Sequence, residues 1–427
     1  MNLRDAEVMA GILEKAGYER AEDMDAADVI LVNTCAVRDS AERKIYGQIG
    51  TLAELKKKRP GLKIAVTGCL AQRPETPEKM LNVAPHVDLL FGTHNQHEVA
   101  NLLERVNDSR EMTIDVWDQE GAVLEHLPSR REDGLKAWVT IMYGCNNFCT
   151  YCVVPQVRGR ERSRNPEGIL REVRELGEKG YKEITLLGQN VNSYGKDLGG
   201  TYTFSDLLLD LDKVPGIERI RYMTSHPRDF SDRLIEVIAA SRKVCEHFHL
   251  PIQSGSDEIL RRMNRGYSRE KYLELTKKIR RALPQASLST DIIVGFPGER
   301  EEHFQETLEL IQEARFDAAF TFIFSPRSGT PAAGMPEQIP YEVKKERLAQ
   351  LMEVQNQISL EKNKAMVGKI YEVLLEGLSP KNPDRLTGRT RTNKIVLLSG
   401  PGEKVGQLAS VKIQRAKTWT LDGELEG

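Results

Sequence analysis

Three of the chain's six cysteines, Cys145, Cys149 and Cys152, fall within eight residues at the spacing C-x3-C-x2-C. Thiolates prefer soft metals, and closely spaced cysteines of this kind hold iron–sulfur clusters. On a four-iron cluster, three protein ligands leave one iron open. Such an iron can bind a small molecule and pass it an electron, which points to radical chemistry. The alternative is a zinc site closed by a distant His or Asp as fourth ligand. No His follows Cys152 within ten residues. A disulfide would leave one of the three thiols over.

The elements around this triad show why it could be an active site. From residue 137 onwards, apolar runs alternate with helical patterns. Strands are predicted at 137–142, 183–187, 219–223, 247–250, 288–294 and 318–324, with helices between them. Strand–helix alternation implies a parallel sheet, and six such units suggest a partial (β/α) barrel. Polar residues and glycines then fall after every strand. The triad follows the first strand, and Gln189 and Asn190 follow the second. Ser225 and His226 follow the third, Gln253 the fourth, Gly295 and Glu299 the fifth, and residues 325–330 the sixth. In β/α folds the carboxyl ends of the strands build the site. Taken singly, each of these residues could equally serve a turn or a backbone contact.

The region before the triad repeats the pattern. Strands are expected at 28–34, 63–67 and 87–91, with helices at 4–16 and 38–58. Cys35 and Cys69 stand at the ends of the first two strands. Either could be a ligand, or simply a small buried residue. The fold class is therefore α/β, with an N-terminal parallel-sheet domain at 1–110, a polar linker at 111–134 and a central partial (β/α) barrel at 135–365. From 366 to 427 short strands and Gly/Pro turns predict a small antiparallel β-barrel. Cys245, apart from the other cysteines, reads as a buried apolar residue.

Charge is informative only locally. The formal net charge is −2, but residues 366–420 hold ten Lys/Arg against four Asp/Glu. Arg385, Arg389, Arg391 and Lys394 crowd one predicted loop. Arg158, Arg160, Arg162 and Arg164 lie just beyond the triad. Either set could receive an RNA backbone, or form a solvated, salt-bridged loop. The chain is 40% hydrophobic and 29% charged, ordinary for a globular protein. No run of about 18 apolar residues predicts a membrane span. The first residues are too polar for a signal peptide, and six cysteines without one suggest a reducing cytoplasm.

The run from Gly144 through the triad to Gln156, with residues 158–164, resembles the radical S-adenosylmethionine (SAM) methylthiotransferases, and among them the members that act on tRNA. Residues 33–38 and 68–73 are similar to the family's N-terminal domain, and residues 386–393 to its C-terminal RNA-binding barrel, called TRAM. The resemblance covers nearly the whole chain. It implies a [4Fe–4S] cluster on Cys145, Cys149 and Cys152, with SAM held by Gln189, Asn190, Ser225, His226, Gln253, Gly295 and Glu299. It also implies an auxiliary [4Fe–4S] cluster on Cys35 and Cys69. The family's first auxiliary ligand lies in a Gly-Cys-Gln-Met-Asn motif, and this chain starts at Met1-Asn2 where that motif ends, so the first cysteine and the strand before it are expected to be missing here.

The implied activity is radical methylthiolation at C2 of an isopentenyladenosine beside the anticodon. The partners would be a tRNA anticodon stem-loop and an external electron donor, with the protein a monomer and no membrane involved. Sister members act on threonylcarbamoyl-adenosine or on a ribosomal-protein aspartate. A different class of reading is an RNA-binding iron–sulfur protein without turnover.

Overall fold

The computed structural model describes residues 1–36, 39–107, 111–400 and 402–426, so residues 37 and 38 of the predicted 33–38 motif lie outside it. The chain divides into two compact units. The first holds Met1–Glu132, Trp138–Phe148 and Cys152–Ile169, and the second holds Asp133–Ala137, Cys149–Tyr151 and Leu170–Gly427.

The first unit runs α1 (Asn2–Lys15), β1 (Val29–Thr34), α2 (Asp39–Lys58), β2 (Lys63–Gly68), α3 (Thr76–Val83), β3 (Leu89–Phe91), α4 (Val99–Asn107) and β4 (Thr113–Asp115). The four strands form one parallel sheet in the order β1-β2-β3-β4. Helices flank both faces, so the inner strands read as apolar runs rather than alternating ones. Ile64, Val66 and Leu90 pack on one face, and Ala65, Leu89 and Phe91 on the other with Met9 of α1 and Val99 of α4.

The expected linker at 111–134 is corrected here. Its start forms β4, and its later residues are tied to the same unit. The Trp117 carbonyl accepts from Gln72 Nε2 at 2.8 Å, Glu120 accepts from the Arg160 amide at 2.7 Å, and Arg130 pairs with Glu14 of α1. A polar sequence conceals this because its bonds are ionic and backbone contacts rather than apolar burial.

After β5 (Lys136–Thr140), which opens in the second unit, come β6 (Met142–Tyr143), α5 (Val154–Arg158), β7 (Arg162–Ser163) and α6 (Pro166–Glu178). The second unit continues with β8 (Glu183–Leu187), α7 (Phe204–Asp212), β9 (Arg219–Tyr222), α8 (Asp232–Ala240), β10 (His247–His249), α9 (Asp257–Arg262), α10 (Arg269–Ala282), β11 (Ser287–Val294), α11 (Glu301–Ala314), β12 (Ala318–Ile323) and α12 (Tyr341–Lys364). β8 pairs with β9, and β10, β11 and β12 form a sheet, all in parallel. A parallel bridge between Ile220 and Val244 joins the two runs. The strand ends therefore share one side, as the β/α alternation demands.

The last strands, β13 (Ile370–Ser379), β14 (Asn382–Thr390), β15 (Ile395–Ser399), β16 (Leu408–Ala416) and β17 (Thr420–Leu425), close into a barrel in the order β13-β14-β15-β17-β16. All pairings are antiparallel except β15 with β17. Arg385 and Arg389 lie on β14, not in a loop. β14 carries Pro383, Asp384 and Gly388, weak strand formers, and is held as a strand by its neighbours on both sides.

The barrel docks within the second unit through buried cations. Arg219 of β9, fully buried, donates to the Arg389 carbonyl at 2.7 Å and to Glu372 at 2.8 Å. Arg221 donates to the Thr390 and Arg391 carbonyls, both at 2.9 Å. Asp317, just before β12, accepts from Lys362 of α12 at 2.7 Å, from Lys394 at 3.0 Å and from the Leu288 amide at 3.0 Å. One carboxylate thus joins β11, α12 and the C-terminal barrel.

Burial alone would raise the Asp317 pKa, but Lys394 and Lys362 outweigh it and hold the carboxyl below its ordinary value. Its stabilisation is complete above the unfolded value of about 3.9 and is lost as pH falls through that value towards the lower folded one. Asp317→Asn leaves two half-buried ammonium groups without their anion and costs about 3 kcal/mol at neutral pH. Urea unfolding should show this loss at pH 7 and a narrowing gap to the unsubstituted protein below about pH 4. Equal stability at pH 7 would refute the role given to Asp317.

Candidate active site

The cysteine loop follows the short strand β6 and precedes α5. Phe148, between the first two cysteines, has φ +47°, a strained backbone for a side chain of that size. Such strain persists only where the surroundings over-determine it, as at ligand sites. In the first unit, Asn147 Nδ2 points at Cys145 Sγ at 3.4 Å. In the second, Arg265 Nη1 points at Cys149 Sγ at 3.2 Å. N–H groups aimed at sulfur suit thiolates. Among the described residues, no three His, Cys, Asp or Glu side chains converge where one metal ion would hold them. The cysteines of a four-iron cluster each bind a different iron and need no such convergence.

The first unit holds two of the other three cysteines, and Cys245, 1% exposed, is buried in the second. Cys35 follows β1 and Cys69 follows β2, whose ends are paired in register, Thr34 with Gly68. Gly68 has φ +99°, and a Cβ there would lie 2.3 Å from the Thr34 carbonyl, so only glycine lets the two loops approach. Ala36 and Cys69 pack against Val153 and Val157, the residues just after Cys152. Burial pushes the Cys69 thiol pKa up, Arg158 opposes this, and Asp5 and Cys35 reinforce it.

Arg158, at the end of α5, is 4% exposed. Its Nε donates to Cys69 Sγ at 3.2 Å and its Nη2 to Asp5 Oδ2 at 2.6 Å. Its expected contact with RNA is thereby corrected. So is that of Arg164, 6% exposed, which donates to Glu125 at 2.7 Å and to the Thr140 carbonyl at 2.7 Å. The half-buried Arg162 donates to the Gly121 carbonyl at 2.5 Å and lies over the Tyr143 ring. Arg160 alone of the run is exposed, its guanidinium 5.2 Å from the Phe148 ring centre.

In the C-terminal barrel, Arg385 pairs with Asp422 at 2.8 Å and Arg389 with Glu376 at 3.6 Å. Arg391 grips Glu246 at 2.6 Å and donates to the Val244 carbonyl at 2.8 Å, and Lys394 is held by Asp317. Arg391 and Lys394 therefore dock the barrel rather than face solvent, a second correction to the RNA reading.

The second unit holds the expected cofactor residues. Gln189 Oε1, Ser225 Oγ, His226 Nε2 and Gln253 Oε1 are buried polar atoms with no hydrogen-bond partner. All four follow the carboxyl ends of β8, β9 and β10. Buried polar groups are nearly always satisfied, so four orphans on one side of a parallel sheet mark a place for a polar ligand. Gln253 and Thr224 also have positive φ, +75° and +67°.

His226 Nδ1 accepts from the Arg228 amide at 3.3 Å, which assigns the ring proton to Nε2. Burial first, then the charge of Arg265, pushes its pKa well down, so the ring is a neutral donor at physiological pH. Within the second unit, the residues present therefore fit a polar ligand at the strand ends, with Cys149 available as a cluster ligand.

Three expected cofactor residues are otherwise engaged. Asn190 donates to Asp229 at 2.8 Å and accepts from the His226 amide at 3.1 Å, so it positions His226 rather than a ligand. Glu299 accepts from Arg347 and from the Gly295 amide, each at 2.8 Å. Gly295 has φ +71°, and a Cβ there would meet Lys344 Cγ at 2.3 Å, so its glycine serves the packing of α12.

The sequence reading missed Arg265, Tyr267 and Asp5. Arg265 and Tyr267 sit in the turn after α9, where Asn264 with φ +58° and Gly266 with φ +71° mark an unusual backbone. An Asn-x-Gly turn so near the cysteine contact was the available signal.

Residues 139–311 match the Radical SAM superfamily, 1–92 the Uncharacterized protein family UPF0004, and 364–425 the TRAM domain. Among solved structures, the radical S-adenosylmethionine methyltransferase TsrM from Kitasatospora setae superposes with a TM-score of 0.56 over 78% of this chain and 72% of its own, at 13% identity. At that identity the likeness is one of fold. Membership of the radical SAM group brings SAM and a [4Fe–4S] cluster as cofactors. Proteins named tRNA-2-methylthio-N(6)-dimethylallyladenosine synthase are 54% identical in Desulforamulus reducens, covering all of this chain and 93% of that one, and 54% identical in Bacillus subtilis, covering all of this chain and 84% of that one. With the cysteine loop, the orphaned polar atoms and all three domain matches in place, the chain belongs to the tRNA-2-methylthio-N(6)-dimethylallyladenosine synthase family.

Proposed function

We propose that this chain methylthiolates tRNA, placing a methylthio group on C2 of an isopentenyladenosine beside the anticodon. The observation that carries the reading is the set of orphaned buried atoms on Gln189, Ser225, His226 and Gln253, in the same unit as Cys149. A structural or sensing iron–sulfur protein has no use for a set of buried polar atoms left without partners at the strand ends.

When bound, the reduced cluster and SAM would supply hydrogen-atom abstraction from an unactivated carbon. Cys145, Cys149 and Cys152 would hold that cluster. Gln189 and Gln253 offer carbonyl oxygens, Ser225 a hydroxyl and neutral His226 an Nε2–H, a set suited to the amino, carboxylate and ribose groups of SAM. Buried side chains position these groups and keep water from the reacting centre. Cys35 and Cys69, with Arg158 on the Cys69 sulfur, are the two ligands this chain offers an auxiliary cluster, which would supply the sulfur, while a second SAM would supply the methyl group. The adenine must leave its stack to react, which an anticodon loop permits more cheaply than a duplex. The electron comes from an external donor, and the chain acts in the cytoplasm as a monomer. Among the described residues no helix is long and apolar enough to cross a membrane.

The deciding experiment combines reconstituted protein, SAM, reductant and sulfide with tRNA carrying isopentenyladenosine, followed by mass spectrometry of nucleosides. A 2-methylthio product is expected. Product on threonylcarbamoyl-adenosine tRNA alone would overturn the substrate, and absence of 5′-deoxyadenosine would overturn the reaction class. Cys149→Ala should abolish both products. Cys69→Ala should keep 5′-deoxyadenosine and lose the thiolated nucleoside, and loss of both would contradict the division of labour between the cysteines.

Gln253→Ala should weaken SAM binding about tenfold, or about 1.4 kcal/mol, in equilibrium dialysis. Because His226 stays neutral, its substitution by Gln should not alter how SAM affinity depends on pH between about 5.5 and 7.5, where an ordinary His titrates. A pH-dependence that disappears in His226→Gln would show that the ring takes up a proton there.

A further inference from the structure

Two buried arginines each place an N–H 3.2 Å from a cysteine sulfur, but only one is already neutralised. Arg158, on Cys69, is paired with Asp5 at 2.6 Å. Arg265, on Cys149, is also 4% exposed. Its other contacts are Tyr151 Oη at 3.4 Å, the Pro251 carbonyl at 2.6 Å and Tyr267 Oη at 2.8 Å. Among the described residues no carboxylate pairs with it. Neutral acceptors satisfy its N–H groups without cancelling its charge, and an isolated charge in the interior is strongly disfavoured. The remaining partner is the Cys149 sulfur, which is an anionic thiolate whenever it ligates a cluster.

We propose that Arg265 is the built-in counter-ion of the SAM-binding cluster, a positioning residue that raises the cluster's reduction potential. This rests on the reading of Cys149 as a cluster ligand. Reduction adds one negative charge to a cluster already anionic through its thiolates. A fixed cation and an N–H on a ligand sulfur stabilise the reduced form more than the oxidised one. The cation is also held rigidly. Tyr267 Oη accepts from Arg265 Nε and donates to the Pro251 or Ile252 carbonyl, each at 3.1 Å, while its ring meets the His226 ring edge-on at 5.5 Å between centres. The same turn therefore fixes the charge on Cys149 and packs the SAM-pocket imidazole.

The test is a potentiometric titration of reconstituted full-length protein followed by electron paramagnetic resonance, with iron and sulfide content determined first. Titrations with and without SAM identify which signal belongs to the SAM-binding cluster. At the potential where the unsubstituted cluster is half reduced, Arg265→Gln should lower the ratio of reduced to oxidised cluster about tenfold, a shift of about 59 mV for one electron. Arg265→Lys, which keeps the charge, should recover most of it. An unchanged potential in Arg265→Gln with full iron content would overturn the proposal.

A second measurement does not depend on cluster assembly. If the charge lacks a counter-ion without the cluster, apo Arg265→Met should melt no lower than the unsubstituted apo protein, and loading should raise the melting point less in the variant. A lower melting point of apo Arg265→Met would make Arg265 a mere brace and overturn the proposal. Cys149→Ala separates the two readings. A SAM-responsive cluster that survives it removes the ligand assignment, whereas its loss together with an unmoved potential in Arg265→Gln removes the counter-ion alone.

Discussion

A guanidinium taken out of water must find acceptors for its N–H groups and an anion for its charge. Much of this chain's organisation follows from meeting that demand. In the first unit, Arg158 ties α5 to Asp5 of α1 and to the loop after β2. In the second, Arg219 and Arg221 of β9 bind carbonyls of the C-terminal barrel, and Arg391 returns the contact to Glu246. Arg347 of α12 closes on Glu299 in the loop after β11. Each of these joins elements distant in sequence with a fixed geometry that an apolar contact would not impose. The planar fork of arginine, with its five donors, explains why arginine rather than lysine stands at most of these junctions.

The orphaned atoms on Gln189, Ser225, His226 and Gln253 reverse this pattern. Most other buried polar side chains have partners, although scattered atoms such as Tyr46 Oη, Asn95 Oδ1 and Tyr222 Oη do not. Asn190 and Asn192, in the same loop as Gln189, show how readily side chains there find partners. Unmet hydrogen-bonding capacity concentrated at the strand ends is costly to the isolated fold and is retained where a ligand completes it. The positive φ values at Thr224 and Gln253 belong to the same economy, because strain is tolerated where the surrounding sheet fixes the backbone.

Much of this was legible in the sequence because parallel strands are buried on both faces and appear as short apolar runs, so the alternation and the loops after each strand could be placed closely. The basic residues were not legible in the same way. Arg158, Arg160, Arg162 and Arg164 look like one charged run, but they differ sharply in burial. Arg158 and Arg164 turn inward to Asp5 and Glu125, and Arg160 turns outward. Their partners lie 153 and 39 residues away in sequence, and no local pattern announces a partner at that distance. β14 and β4 were hidden for another reason. β14 carries Pro383, Asp384 and Gly388 and owes its strand character to the neighbours that pair with it, and β4, only three residues long, is too short for a pattern of its own.

The same distinction explains why local charge was a poor guide to RNA contact. An excess of positive residues in the C-terminal barrel suggests a surface for phosphates, yet Arg385, Arg389, Arg391 and Lys394 each meet a carboxylate. Two of those carboxylates, Glu246 and Asp317, lie outside the barrel, so the basic residues act first on the rest of their own unit. A cation already paired and half-buried contributes little to the release of counter-ions that drives binding to a polyanion, because few counter-ions surround it. In the run beyond the triad Arg160 alone is exposed, and its guanidinium lies beside the ring of Phe148. An aromatic face with an arginine against it offers an RNA base stacking as well as charge, which a paired lysine or arginine inside a docking contact does not.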